Sequence, residues 1–137
     1  MKIIREQYEI EKRETGTLLL TFRDKIKVEL DHAIQIDKDC TALIQKNNFD
    51  LIIEARNINS YMTGEALNYL AKEAITRNQV KKCGMLINSL PIRLIAKFYI
   101  RYSKPPYPIK IYKHKSELIA WFDEVNNYNH TPNQTQI

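Results

Sequence analysis

Arg93, Lys97 and Arg101 recur at every fourth residue, and Lys104 falls on the same side of a helical projection. Four cations in one row can meet the phosphates of lipid headgroups or of nucleic acid. Ile92, Leu94, Ile95, Phe98, Tyr99 and Tyr102 occupy the other side, so the segment 89–103 reads as an amphipathic helix. Lys110, Lys113 and Lys115 follow soon after. The charge is also unevenly spread along the chain. Residues 1–68 hold ten Lys/Arg against twelve Asp/Glu, whereas residues 69–137 hold eleven against four. Such asymmetry directs attention to an anionic partner. A solvated lysine-rich face is the simpler account of the same row. No recognised nucleic-acid-binding motif accompanies the charge, so nucleic acid is not the expected partner.

The aromatic residues Phe98, Tyr99, Tyr102, Tyr107, Tyr112, Trp121 and Phe122 come from two helical patterns and the segment between them. A packed core is the ordinary reading. An apolar pocket rimmed by the hydroxyls of Tyr99, Tyr102 and Tyr107, with Phe98 and Trp121 in its wall, is the functional one. Catalytic patterns are weak. His32, His114 and His130 are isolated, and the chain has no glycine-rich phosphate loop, since it holds only Gly16, Gly64 and Gly84. Glu54 ends an inner strand, where catalytic carboxylates sit in α/β folds, but Arg56 stands close behind it and makes an ion pair the simpler reading. No Ser, Cys or Lys is placed beside an obvious base. The expectation is a protein with no catalytic residues, no metal site and no cofactor.

These residues need elements to position them. The chain has 137 residues, enough for one domain with a real core. No apolar run approaches the length of a membrane span. Charge interrupts Met1-Lys2-Ile3-Ile4-Arg5-Glu6 before a signal-peptide core can form, so a cytoplasmic location is expected. Cys40 and Cys83 match no metal spacing and read as reduced, buried small residues.

Along the chain, residues 17–22 and 26–30 are β-prone runs separated by Arg23-Asp24-Lys25, which reads as a hairpin. Residues 8–12 alternate as an edge strand would. Asp37 reads as the cap of a short helix ending near Lys46. Leu51-Ile52-Ile53 is apolar on both faces, as an inner strand is. Residues 56–62 form a polar loop. Thr63 is a natural N-cap for a helix over 63–76, with Leu67, Leu70, Ala71, Ala74 and Ile75 as its buried stripe. Residues 83–87 are the next inner strand, and Gly84 signals a close backbone approach. Ser89 and Pro91 open the third helix, and Pro105, Pro106 and Pro108 forbid its continuation. A strand over 109–112 and a helix over 115–125 complete the domain. Residues 126–137 read as a flexible polar tail. The order is β-β-α-β-α-β-α-β-α: an α/β domain with parallel inner strands, right-handed crossovers and an antiparallel N-terminal hairpin.

Three stretches carry a family likeness. The first runs Leu51-Ile52-Ile53-Glu54-Ala55-Arg56-Asn57-Ile58 and then Thr63-Gly64-Glu65-Ala66-Leu67-Asn68-Tyr69-Leu70-Ala71. The second runs Leu86-Ile87-Asn88-Ser89-Leu90-Pro91-Ile92-Arg93-Leu94-Ile95-Ala96-Lys97-Phe98. The third is Ile111-Tyr112-Lys113-His114-Lys115-Ser116-Glu117-Leu118-Ile119-Ala120-Trp121-Phe122. Over residues 17–125 the chain resembles the STAS-like domains of sulfate transporters and anti-sigma-factor antagonists. It is more similar still to small bacterial STAS-like proteins of unknown function. The resemblance implies a single STAS-like domain over residues 1–125, a right-handed β-α superhelix with helices mainly on one face. It also implies relatives that act as non-enzymatic switches or bind small apolar and anionic ligands. Anti-sigma-factor antagonists carry an Asp-Ser pair at the start of the helix after the central strand, and that Ser is phosphorylated. Here the matching positions are Met62-Thr63: the hydroxyl is present and the Asp is absent. Thr63 is thus the candidate switch or phosphosite that the resemblance implies, while helix capping alone is the simpler account of it.

Two functions follow as expectations. The first is a non-enzymatic regulatory or interaction module that acts through a protein partner or a second copy of itself. The alternative is a small carrier or sensor that holds an apolar or anionic lipid-like ligand between helices and sheet.

Overall fold

The computed structural model describes residues 1–55 and 61–130, with side chains at 1–55 and 62–123. In chain order the elements are β1 (Lys2–Ile4), β2 (Tyr8–Lys12), β3 (Leu18–Phe22), β4 (Lys27–Val28), α1 (Leu30–Ile44), β5 (Phe49–Glu54) and β6 (Tyr61–Met62). Next come α2 (Gly64–Asn68), a π-helical turn (Tyr69–Glu73), a 3-10 turn (Ile75–Asn78), β7 (Val80–Leu86), α3 (Leu90–Ser103), β8 (Ile109–Tyr112) and α4 (Lys115–His130). Six strands form one sheet in the order β1-β2-β3-β5-β7-β8. The first three pair antiparallel, and β3, β5, β7 and β8 run parallel. This is the mixed α/β architecture expected from the sequence.

The hairpin is formed by a different pair of strands. β3 pairs with β2, joining Ile10 to Leu20, and not with the run after Arg23-Asp24-Lys25. The turn between β2 and β3 contains Gly16 at φ +87°, a conformation glycine adopts without steric cost. The other side of β3 is taken by β5, which sets Leu18 beside Leu51 and Leu20 beside Ile53. Two apolar strands thus satisfy each other's ladder, and only Lys27–Val28 remains extended, paired to Tyr61–Met62. The first helix also starts earlier than Asp37. Glu29 precedes it, its backbone N–H donating to Nδ1 of His32 at 2.9 Å. Ala33 and Ile36 carry the buried stripe of Cys40, Leu43 and Ile44 back toward the start of the helix.

Strand parity sorts the side chains. Leu51, Ile53, Cys83, Met85, Ile109 and Ile111 share one face of the sheet by register. That face meets α1, α2 and α3. Ile52, Gly84, Leu86 and Tyr112 share the other face, against Leu118, Trp121 and Phe122 of α4. Lys82 and Asp50 also lie on this second face and pair at 3.0 Å. The backbone of α4 continues through 126–130, so those residues are helical. Residues 131–137, like residues 56–60 of the expected loop, lie outside the described residues. At the N-terminal end, Arg5 donates two hydrogen bonds to Asp39 at 2.8 and 3.0 Å, while Tyr8 and Gln35 donate at 2.6 and 2.9 Å. Burial pushes the Asp39 carboxyl up, but these donors and the charge of Arg5 outweigh it and hold it below the ordinary carboxylate range.

Gly84 shows how closely α4 lies on the sheet. A Cβ there would stand 2.6 Å from Cδ1 and 2.9 Å from Cγ of Leu118, a side chain that is itself fully buried. We expect Gly84→Ala to cost about 1–3 kcal/mol, because a packed core must shift to admit the methyl. Urea unfolding of the two proteins measures it, and an unchanged midpoint would contradict the contact.

Candidate functional site

Helix α3 covers the sheet incompletely. Of its residues only Ala96 and Ser103 are buried, and Ala96 reaches Ile87 and Ala55 beneath it. The larger apolar groups point elsewhere: Leu90 and Leu94 are each 58 % exposed, Phe98 71 % and Tyr102 63 %. Inside the gap lies a cavity of about 220 Å³. Leu51 and Ile53 of β5 and Cys83 and Met85 of β7 make its floor. Ile36 and Cys40 of α1, Leu67 of α2 and Leu70 of the π-helical turn make one wall. Ile92, Ile95, Ala96 and Tyr99 of α3 form the roof. Leu51 and Ile53 are therefore half-buried rather than fully packed, although β5 lies well inside the sheet, and Ile52 on the α4 face is half-buried too.

Among the described residues the charged ones in this wall are Asp37 and Arg77, and they stand in opposite conditions. Asp37 is 2 % exposed and saturated. One of its oxygens accepts from the hydroxyl of Tyr69 at 2.9 Å and the N–H of Ile75 at 2.8 Å. The other accepts from the N–H and hydroxyl of Thr76 at 3.0 and 2.6 Å. The expected cap of α1 is thus a mid-helix acid that caps the 3-10 turn 38 residues further on. The helix expected over 63–76 breaks to permit this. Ala74 donates its N–H to the carbonyl of Tyr69 five residues back, closing the π-turn, and then turns extended at φ −57°, ψ 133°. Arg77 is half-buried. Its Nε is shut off from solvent and has no hydrogen-bond partner among the described residues.

Tyr99 and Tyr107 also line the cavity. Burial pushes both hydroxyls well above their usual value, each feels Cys83, and the charge of Arg77 opposes the shift at both. The phenols stay protonated and able to donate. Burial also pushes the thiols of Cys40 and Cys83 up to about 12, so neither is a reactive thiolate.

The aromatic set expected to share one pocket is divided. Tyr99 and Tyr107 face the cavity. Phe98 and Tyr102 stack on the outside of α3, with ring centroids 6.5 Å apart, along a second groove against Gly64, Leu67 and Ala71. Trp121 is on the opposite face of the sheet, 6.3 Å from the ring of Tyr112 and 5.4 Å from that of Phe122. Strand parity explains it: α4 packs over Gly84 and Leu86, whereas the cavity uses Cys83 and Met85. In the basic row, Lys97, Arg101 and Lys104 are exposed and Arg93 is half-buried. Thr63 precedes α2 in extended conformation, and its hydroxyl accepts from the N–H of Ala66 at 3.2 Å. Arg77 is not among the residues expected from the sequence, and nothing in its local pattern marks it. Asp37 did carry a signal, an acid placed within a buried helical stripe.

Residues 10–126 match the family described as a domain of unknown function, DUF7793. The chain belongs to that family. This DUF7793 domain is also similar to a crystal structure described as an uncharacterized protein of the DUF3478 family with a SpoIIAA-like fold, from Shewanella loihica PV-4. The TM-score is 0.60 at 11 % identity, over 83 % of this chain and 90 % of the other. That likeness is one of fold, and it agrees with the STAS-like architecture. No curated protein matches the chain. Among the described residues of the DUF7793 domain, no group of three or more His, Cys, Asp or Glu could hold a metal ion. No described helix is long and apolar enough to cross a membrane.

Two substitutions test the local geometry. Asp37→Ala leaves two N–H groups and two hydroxyls without their acceptor, and we expect a loss of about 3 kcal/mol or more in urea unfolding. Asp37→Asn keeps one acceptor oxygen and loses less. For the helix cap, Thr63→Ala should cost about 0.5–2 kcal/mol while Thr63→Asp nearly preserves stability, since Asp also caps. Equal melts for the Ala variant and the parent would remove the cap from the account.

Proposed function

We propose that this DUF7793 domain is a small carrier or sensor that holds an apolar ligand in the cavity beneath α3. The cavity itself carries the reading. Its wall is almost wholly aliphatic or aromatic, and its floor is the centre of the sheet. The cavity opens to solvent beside the roof, where Ile95 is 54 % exposed, so apolar side chains of its wall meet water. A ligand that covers them removes that apolar surface from water and adds close contacts. The roof helix buries only Ala96 and Ser103, which gives an entering molecule a wall that can yield.

Native mass spectrometry of the purified protein tests this directly. We expect a bound small molecule that is lost on denaturation. Decanol, a neutral probe, should raise the melting temperature of stripped protein. At a hundredfold excess over Kd the stabilisation is about 2.7 kcal/mol. Ile53→Trp, which fills the cavity from its floor, should melt no lower than the parent and lose that response. An empty spectrum together with no decanol response in the parent would end the proposal.

The outer side of α3 favours a second reading, an interaction module that binds a protein partner or a second copy of the chain. Leu90, Leu94, Phe98 and Tyr102 form a continuous exposed apolar strip beside Lys97 and Arg101. Light scattering across a concentration series distinguishes self-association from a monomer that leaves the strip bare.

A further inference from the structure

We propose that Arg77, Tyr99 and Tyr107 form a head-group site in the cavity, and that the ligand is a single-chain amphiphile with an anionic head. The proposal rests on the cavity reading above and adds the chemistry of one end.

Three observations carry it. Arg77 is a permanent cation in the wall of an apolar space, and its Nε–H is buried without an acceptor among the described residues. A buried unpaired donor is destabilising, more so when it is charged, so the site is complete only with an acceptor supplied. Among the described residues the wall does not supply one. Asp37, the one carboxylate among the described residues of the wall, already accepts four hydrogen bonds from Tyr69, Ile75 and Thr76. Tyr99 and Tyr107 line the same cavity, and both lie within the electrostatic reach of Arg77. A guanidinium with two phenolic O–H groups presents donors and positive charge, which is the complement of an anion. Apart from Asp37 and Thr76, which bond each other, the described rest of the wall is apolar: Leu51, Ile53, Met85 and Ile92 offer nothing to a second polar group. One anionic head and one hydrocarbon chain match that division. A guanidinium pairs with a carboxylate and with a phosphate monoester alike, and both heads belong to the test.

The test is calorimetric titration of the full chain, stripped of ligand, with decanoate, decyl phosphate and decanol. The proteins are the parent, Arg77→Gln and Tyr107→Phe, each first checked by thermal melt. We expect at least one anionic probe to bind the parent more tightly than decanol does. Arg77→Gln should weaken that probe about tenfold or more, the loss expected of one charge-assisted contact, and leave decanol unchanged. Tyr107→Phe should produce a smaller loss with the same selectivity. The anionic head that loses more in Arg77→Gln is the one the site prefers. Should Arg77→Gln melt early, Arg77→Lys takes its place. It keeps the charge and removes the planar fork, so it should retain part of the preference. Equal binding of decanoate, decyl phosphate and decanol, unaltered by Arg77→Gln, overturns the head-group site and leaves the apolar cavity reading standing. Binding of none of the three overturns both.

Discussion

The carboxylate of Asp37 organises the helical side of this domain. It lies in the buried stripe of α1, yet all four of its hydrogen bonds go to residues 69–76, more than thirty positions away. It caps the 3-10 turn as a helix N-cap would, from another element. That clamp fixes where the chain leaves the π-turn and enters β7. It therefore fixes Arg77, the residue after Thr76, and the strand that carries Cys83 and Met85 into the cavity floor. An exposed acid could not do this, because water would compete for the same N–H groups. In a buried site the bonds are stronger and their absence is costly.

Helix α3 resolves a conflict that its sequence contains. Two sides of it are apolar, and only one can face the sheet. The side turned inward carries Ile92 with the smaller or polar-tipped Ala96, Tyr99 and Ser103, while the larger Leu94 and Phe98 face outward. A helix selected for stability alone would place its largest aliphatic groups inside. Departures of this kind from the packing rule concentrate where a protein must bind something. The left-handed Lys104, at φ 46°, and the prolines behind it hold the helix end away from a direct run into β8.

Much of the architecture was legible because the inner strands and long helices announce themselves locally. Leu51-Ile52-Ile53 is apolar on both faces, and the strand over 109–112 and the helix after Ser89 stand where the sequence places them. What was not legible depends on distant partners. β3 chose β2 and β5 rather than its nearest β-prone neighbour, a competition between ladders that no local window contains. Asp37 looked like a cap and is one, but of a turn that only the folded chain brings near. For the candidate site, Tyr99 and Tyr107 stood out as aromatics at a helix and its exit, while Trp121 and Phe98 looked equivalent to them. One residue of strand parity and part of a helical turn separate those positions, and such fine angles are settled by packing. Arg77 was silent because an arginine has meaning there only once a cavity has formed around it.

Cys40 and Cys83 stand on the walls of that same cavity, one on α1 and one on β7. They are the only two cysteines in the chain. A thiol-modifying reagent can meet them only after the roof lifts or the domain opens, so the pace of alkylation reads the free energy of that opening. The chain thus contains its own chemical clock for the cavity, with no label to be introduced. An occupant that seals the space slows the clock, and a roof held open speeds it.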